Sequence, residues 1–540
     1  MLLFSLPMMS RRFLCLGGLT VALFVVSVRA TPSQAKDPGK DLELKVGVVQ
    51  RFGDESQDQL TLKGGNEGEV LTFVVQDEQG QSQTLKGRQA TIEMTTRPLA
   101  QPVLQERLVL SDHATFETAE DSANQWKALG LEVEVTQPDR WQVWAKRSVY
   151  DSPLVRRWLL QSLKDKGYTK PYLTSEVVKL KPQAVLKVEG KTYPTDNLTI
   201  TAPQNLIQVT ENRQKTRLYG GKLQLQPNAY GHYTLVNQVP LEVYLRGVVP
   251  HEIGPNAPEN AAKAQTIIAR TYALRNLRRF EADNYQLCAT VHCQVYYGLK
   301  ETSPKADKAI AATQGLVLTY NNELVDALYS STTGGVTARF SDVWNGQERP
   351  YLKSLIDSPQ QLWDLNQNSL DNEAEFRKFI SLKEGFNETG RKVFRWRTEA
   401  KLTDLNKDLR QYLNRQKHPL ANFTTILDLQ ITQRSPSGRV LMVQVTTDKG
   451  IIELVKNESR AAFSTPLSTL FYIEPKYNAN QKLTSVVFVG GGLGHGVGMS
   501  QFGSYKLAQL GWSPERILAF YYPGTQIQPL SDRLIFWRGQ

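Results

Sequence analysis

From Leu42 onward, apolar and polar residues alternate with a period of two: Leu44, Val46 and Val48, then Leu60 and Leu62, then the run Val70 to Val75. That period predicts half-buried strands separated by glycine-rich turns. The pattern changes near residue 104. Leu108 to Leu110 reads as a strand. Thr118 to Leu129 sets Ala119, Ala123, Trp126 and Leu129 on one side of a helix that Gly130 stops. Val133 with Val135 makes a strand, and Trp141, Val143 and Ala145 make the next. Ser152 to Lys164 is a second helix carrying Leu154, Trp158 and Leu159, ended by Gly167. The predicted order over 104–179 is β-α-β-β-α-β, with two similar halves. Alternation resumes over 180–238, with turns at Pro194 to Asn197 and at Gly220-Gly221.

The stretch Val239 to Leu277 has a different character. Val243, Leu245, Val248 and Val249 predict a strand that breaks at His251-Glu252-Ile253-Gly254-Pro255. A helix follows, with Asn256 as N-cap and Pro258 in the first turn. Ala261, Ala264, Ile268 and Tyr272 form its buried stripe. Lys263 and Arg270, seven apart, share a face. Residues 365–420 are polar, with helical runs around Asn372 to Phe379 and Thr403 to Leu413, and read as a surface subdomain flanking a cleft. Strands return over 425–475. Ser500 and Gln501 start the next helix, 500–510.

Composition narrows the class. The 540 residues are 40% hydrophobic and 22% charged, as in an ordinary globular chain. That length suits about two to four domains. The net charge of +11 suits nucleic acid, anionic headgroups or an acidic polymer. No basic-aromatic module supports nucleic acid. Residues 1–35 have the outline of an export signal: Arg11-Arg12, then an apolar run Phe13 to Val28, below the ~20 residues of a spanning helix. Cleavage is expected after Ala30 or Ala35; an uncleaved anchor is the alternative and the one membrane link expected. The mature protein is placed in the periplasm or cell wall, opening with a β-rich segment, 36–103. Cys15 leaves with the signal. Cys288 and Cys293 remain, as a disulfide or, with His292, as part of a metal site.

Three stretches offer chemistry. Glu252 is a carboxylate at a chain break facing a basic helix, or else a solvated loop acid. Tyr329 to Gly335 presents Ser330, Ser331, Thr332 and Thr333 beside two glycines, a turn suited to a polar ligand or one bonding only its own backbone. Gly490 to Gln501 is the densest glycine run. It lacks the ending of a phosphate loop and the dinucleotide spacing, and it carries His495. There is no His-Glu-x-x-His, which argues against a zinc amidase.

The segment YLRGVVPHEI…AAKAQTIIARTYAL resembles the signature of the SpoIID/LytB family. CATVHCQVYYG, ALYSSTTGG, DVWNGQERPYL, GGGLGHGVGMSQFG and FYYPGT follow in family order, so the resemblance spans roughly 240–530. It implies an α+β fold: a SpoIID-like mixed catalytic domain over 180–540, with many strands around a central helix. Two activities follow from it. One is a peptidoglycan lytic transglycosylase acting on MurNAc–GlcNAc strands, intact or stripped of peptides. The other is a non-catalytic, glycan-binding amidase enhancer, with an amidase as partner. The setting would be sporulation or general wall remodelling. In the enzymatic case the C6 hydroxyl of N-acetylmuramic acid attacks its own C1, and Glu252, which matches the family glutamate, acts first as acid and then as base. An acid needs a raised pKa, so Lys263 and Arg270 are expected to face the glycan, not Glu252. Gln265 and Arg270 match family positions suited to sugar hydroxyls and N-acetyl carbonyls. His495, Ser500 and Gln501 are expected near the substrate, and Tyr272 in the core. Some family members hold zinc on two Cys and two His. Here Cys288, His292 and Cys293 lack a fourth ligand unless Asp283 or a distant residue supplies it. No other cofactor is implied. Residues 104–179 resemble a SPOR domain, a ferredoxin-like module binding glycan stripped of its stem peptides. A generic ferredoxin-like insert is the alternative.

Overall fold

The period-two alternation becomes two sheets in a computed structural model that describes residues 42–55, 57–76 and 80–538. The expected export signal and Cys15 lie outside the described residues. Among the described residues no helix is long and apolar enough to cross a membrane.

One sheet has seven strands. Second and third from one edge, Glu43–Phe52 pairs antiparallel with Tyr233–Pro240. The other has eight and includes Gln59–Gly64, Leu206–Glu211 and the strands of the 104–179 region. Alternate residues of both, such as Leu44, Val46, Leu60, Leu62, Ile92, Leu186 and Ile207, meet in one hydrophobic core. The fold is mixed helix and strand, α+β, as expected.

Over 104–179 the predicted element order is present: β1 (Gln89–His113), α1 (Phe116–Ala128), β2 (Val133–Thr136), β3 (Trp141–Ala145), α2 (Pro153–Asp165) and β4 (Tyr172–Val188). The strands lie in the order β2-β3-β1-β4, all antiparallel. The boundaries differ from the expected 104 and 179. β1 and β4 stay paired from Ala90–Val188 to Val109–Tyr172, so they cross both limits. Pro98 and Pro102 do not end β1; they sit at a shift of register between Pro98 and Val103, where a missing N–H is tolerated. In α1 the stripe Ala119, Ala123 and Trp126 is buried, while Leu129 falls past the helix end and is exposed. In α2 Leu159 packs against the core, while Leu154 and Trp158 are 54% and 65% exposed. Arg156 turns inward instead, toward Glu106.

The larger correction concerns residues 241–252. After the strand β5 (Tyr233–Pro240) the chain forms a helix, α3 (Leu241–Glu252), not a strand. Leu241, Tyr244, Leu245, Val248 and Val249 are spaced by three and four, and all are buried. Next comes α4 (Glu259–Arg275). Its N-cap is Pro258, not Asn256. α4 is buried almost all round, Gln265 and Arg270 included, between α3, the strand Leu316–Tyr320 and the helices that follow residue 500. Its residues Ala264, Ile268 and Tyr272 share one cluster with Phe116, Ala119 and Trp141 of the 104–179 region.

The helices expected within 365–420 form as α5 (Glu373–Ser381) and α6 (Leu402–Arg415). The stretch is not all surface. Phe376 and Phe379 pack with Phe386, Phe394 and Leu470, while Leu405 and Leu409 pack under strands of 426–488. Beyond those strands lie the short helix α7 (Glu458–Ala462) and α8 (Gln501–Gln509), whose N-cap is Ser500.

Candidate active site

Glu252 ends α3, and its carboxyl forms part of a cavity of about 380 Å³. The Val295 N–H donates to Oε1 at 2.6 Å. Gln501 Nε2 donates to the Glu252 carbonyl at 2.8 Å, and the Gln501 and Tyr329 side chains lie near enough to the carboxyl to favour its charged form. The Tyr329 hydroxyl is held from behind. The Tyr244 hydroxyl donates to Gln294 Oε1 (3.3 Å), and Gln294 Nε2 donates to the Tyr329 oxygen (3.1 Å). The phenol proton is thereby left to point at Glu252. Burial pushes the Glu252 carboxyl above the ordinary glutamate value, and Val295, Tyr329 and Gln501 pull against it. Its place at a helix C-terminus, where backbone carbonyls concentrate partial negative charge, likewise disfavours the ionised form.

Ser330, Ser331, His495 and Gln501 line the same cavity. The parallel pairing of Tyr329–Ser330 (β6) with Met499–Ser500 (β7) joins the hydroxyl-rich turn to the glycine loop. His495 Nδ1 accepts the Val497 N–H at 3.0 Å, and the ring also bonds the Tyr329 backbone. Nε2 therefore carries the proton. Burial, then the charges of Arg460 and Arg439, push the imidazole down to about 3, so it is neutral at physiological pH. The opposite wall comes from the 104–179 region: Phe116 and Glu117 of α1, and Trp141 of β3. Glu117 ion-pairs with Arg279, whose guanidinium lies 4.5 Å from the Phe116 ring centre and donates to the His292 carbonyl at 2.8 Å.

Residues 229–320 match the family described as Stage II sporulation protein, and residues 338–498 match a domain of unknown function (DUF8618). The amidase enhancer of Bacillus subtilis strain 168 is 31% identical over 300 residues, 52% of this chain and 40% of that protein. The stage II sporulation protein D of the same strain is 28% identical over 313 residues, 54% of this chain and 75% of that protein. An uncharacterized protein of Brachyspira hyodysenteriae is 25% identical over 299 residues, 54% of this chain and 68% of that protein. The matched segment, residues 229–320, is of the SpoIID/LytB type.

Not every residue singled out from the sequence reaches the cavity. Lys263 pairs with Glu259 at 2.6 Å on the outer side of α4. Arg270 has no exposed surface: Nε and Nη2 hold the two Glu242 oxygens at 2.8 Å each, and Nη1 donates to the Leu316 carbonyl. Because α4 is covered on every side, a shared helix face here is not an open face, and Arg270 does not face a groove. Gln265 is fully buried and both its amide atoms lack a hydrogen-bond partner. Tyr272 is core, as expected.

Thr332, Thr333 and Ser500 serve the loops themselves. Thr332 Oγ1 accepts the Leu493 N–H at 2.7 Å. Ser500 Oγ accepts the Gly503 N–H and donates to Glu388 Oε1 at 2.6 Å. Thr333 Oγ1 bonds Glu388 (3.0 Å) and Asp357 (3.1 Å), and the Gly334 and Gly335 N–H groups donate to Glu388 Oε2 at 2.9 and 3.2 Å. Glu388 is thus the hub behind the hydroxyl-rich turn. The sequence reading missed it because its stretch is polar and read as surface. The glycines permit loop against loop more than loop against sugar: a Cβ on Gly492 would come within 2.8 Å of the Gly334 nitrogen.

Cys288 and Cys293 form a disulfide with Cα atoms 5.6 Å apart. Both sulfurs are consumed, and Asp283 is occupied by the Ala229 N–H and the Tyr230 hydroxyl. His292 has no ligand set left to join, so these residues do not fit the zinc that the resemblance left open. Among the described residues no group of three or more His, Cys, Asp or Glu side chains is placed to hold a metal.

Proposed function

We propose that this protein is an exported peptidoglycan lytic transglycosylase that cleaves MurNAc–GlcNAc strands with Glu252 as acid and base. One observation carries the reading: the Glu252 carboxyl, held toward its protonated form by burial, in the wall of a cavity whose other carboxylate, Glu117, is ion-paired with Arg279. The protonated carboxyl gives its proton to the glycosidic oxygen as the C1–O bond breaks. The C6 hydroxyl of the same muramic residue bonds to C1, and its proton passes to the Glu252 carboxylate. No water is consumed, and the acid is regenerated. In the ionised interval the Val295 N–H, the Tyr329 hydroxyl and Gln501 stabilise the carboxylate. Ser330 and Ser331 offer hydroxyls to the sugar, and neutral His495 fixes the Tyr329 backbone. Lys263, Gln265 and Arg270 are left out of this scheme because of where they lie.

The 104–179 region is assigned as a SPOR-like, ferredoxin-like glycan-binding module. Its β-α-β-β-α-β order and β2-β3-β1-β4 arrangement support this. A second reading, an enhancer that binds glycan and assists an amidase, is favoured by the name of the amidase enhancer relative.

The deciding experiment incubates purified protein with intact and peptide-stripped sacculi and analyses the products by mass spectrometry. Lytic action yields 1,6-anhydro ends, and Glu252→Gln abolishes them. Glycan binding without cleavage by the wild-type protein would transfer the assignment to the enhancer reading.

A further inference from the structure

One guanidinium in the cavity is not neutralised by the protein. Arg460, on α7, lines the same cavity as Glu252 and His495. Its Nη1 donates to the neutral Asn457 Oδ1 at 3.1 Å, and its Nε is buried with no hydrogen-bond partner. Among the described residues no carboxylate pairs with it, and burial alone pulls its pKa down. The contrast with its neighbour is sharp. Arg279, the other guanidinium lining this cavity, is more buried and is matched by Glu117. A cation shielded from water without a counter-charge is costly, so folding alone does not favour it. Its charge is felt inside the cavity, where it helps keep His495 neutral. Arg460 also lies outside residues 229–320, the segment matched as Stage II sporulation protein.

We propose that Arg460 is the binding residue for a carboxylate carried by the glycan strand. A guanidinium lining the cavity without a counter-charge suits the oxygens of a carboxylate. Two parts of a strand offer that group: the lactyl carboxylate of a muramic residue without its stem peptide, and the carboxylates of the peptide itself. The inference rests on the glycan-cleaving reading of this cavity, yet binding tests it separately.

The test uses the full chain with Glu252→Gln, so that strands are bound and not cut. Affinity is measured by calorimetry for peptide-stripped strands, for the same strands with the lactyl carboxyl capped as a methylamide, and for strands with intact stem peptides. One of the two carboxylate-bearing strands is expected to bind about ten- to a hundredfold tighter than the capped strand. Preference for stripped strands assigns the lactyl group, and preference for peptide-bearing strands assigns the peptide. Adding Arg460→Gln is expected to erase the preference, and Arg460→Lys to restore part of it. Equal affinity for all three strands overturns the proposal, and that arm needs no Arg460 variant to fold. So does a preference that survives Arg460→Gln. A preference that stands while wild-type protein releases no 1,6-anhydro ends would sink the lytic reading and leave this one intact.

Discussion

At the scale of single residues, the site balances two opposing effects on one carboxyl. Desolvation raises the pKa of Glu252, while Val295, Tyr329 and Gln501 favour its charged form. An acid must carry its proton, so activity is lost as pH rises through that pKa. The alkaline limb of kcat/KM against pH is therefore expected above the ordinary glutamate value of ~4.3; a limb at or below it would mean that a different group donates the proton. Tyr329→Phe removes one donor to the carboxylate. The limb should then move to higher pH and kcat should fall about ten- to a hundredfold, the worth of a hydrogen bond to a charged group. Much of this chemistry was legible beforehand. Glu252, Ser330, Ser331, His495 and Gln501 stand in motifs and do meet in one cavity. Glu388 and Arg460 were not legible. Each belongs to a polar or mixed stretch, and its meaning comes from a partner, or from the lack of one, that only the folded chain reveals.

At the scale of elements, α3 is the instructive case. Its β-branched valines suggested a strand, yet the spacing of Leu241, Tyr244, Leu245, Val248 and Val249 is helical, and packing against α4 decides. The difference matters to the chemistry, because it sets Glu252 at the negative end of a helix and not in an open turn. The β6–β7 pair is a second such element. Gly498, at φ +73°, precedes it, and a Cβ there would fall 1.9 Å from the Leu328 carbonyl oxygen. Backbone cannot yield by that much. Gly498→Ala is expected to cost about 3 kcal/mol or more, and to displace Tyr329 from Glu252. Chemical denaturation measures the first effect and the pH profile the second; a variant as stable as wild type would contradict the geometry.

At the scale of the whole molecule, the cavity is built by regions far apart in sequence. The element order of 104–179 could be read from periodicity. Its junction could not, because the prolines near those limits, Pro98, Pro102 and Pro182, do not end β1 or β4, and pairing continues past them. Glu117 ties that region to the rest of the site through Arg279. Glu117→Ala would leave a buried guanidinium without its counter-ion, at a cost of about 3 kcal/mol or more. Thermal unfolding should show a clear drop in Tm, together with weaker cleavage; an unchanged Tm would mean that the two regions are not coupled in this way.

Because Phe116, Glu117 and Trp141, which lie between β1 and β4, line the cavity that Glu252 also lines, the two parts of the lining are free to diverge at different rates. Drift in the residues between β1 and β4 can reshape what the cleft admits while Glu252 stays untouched. Two descendants of this chain could thus share one chemistry and part ways in diet.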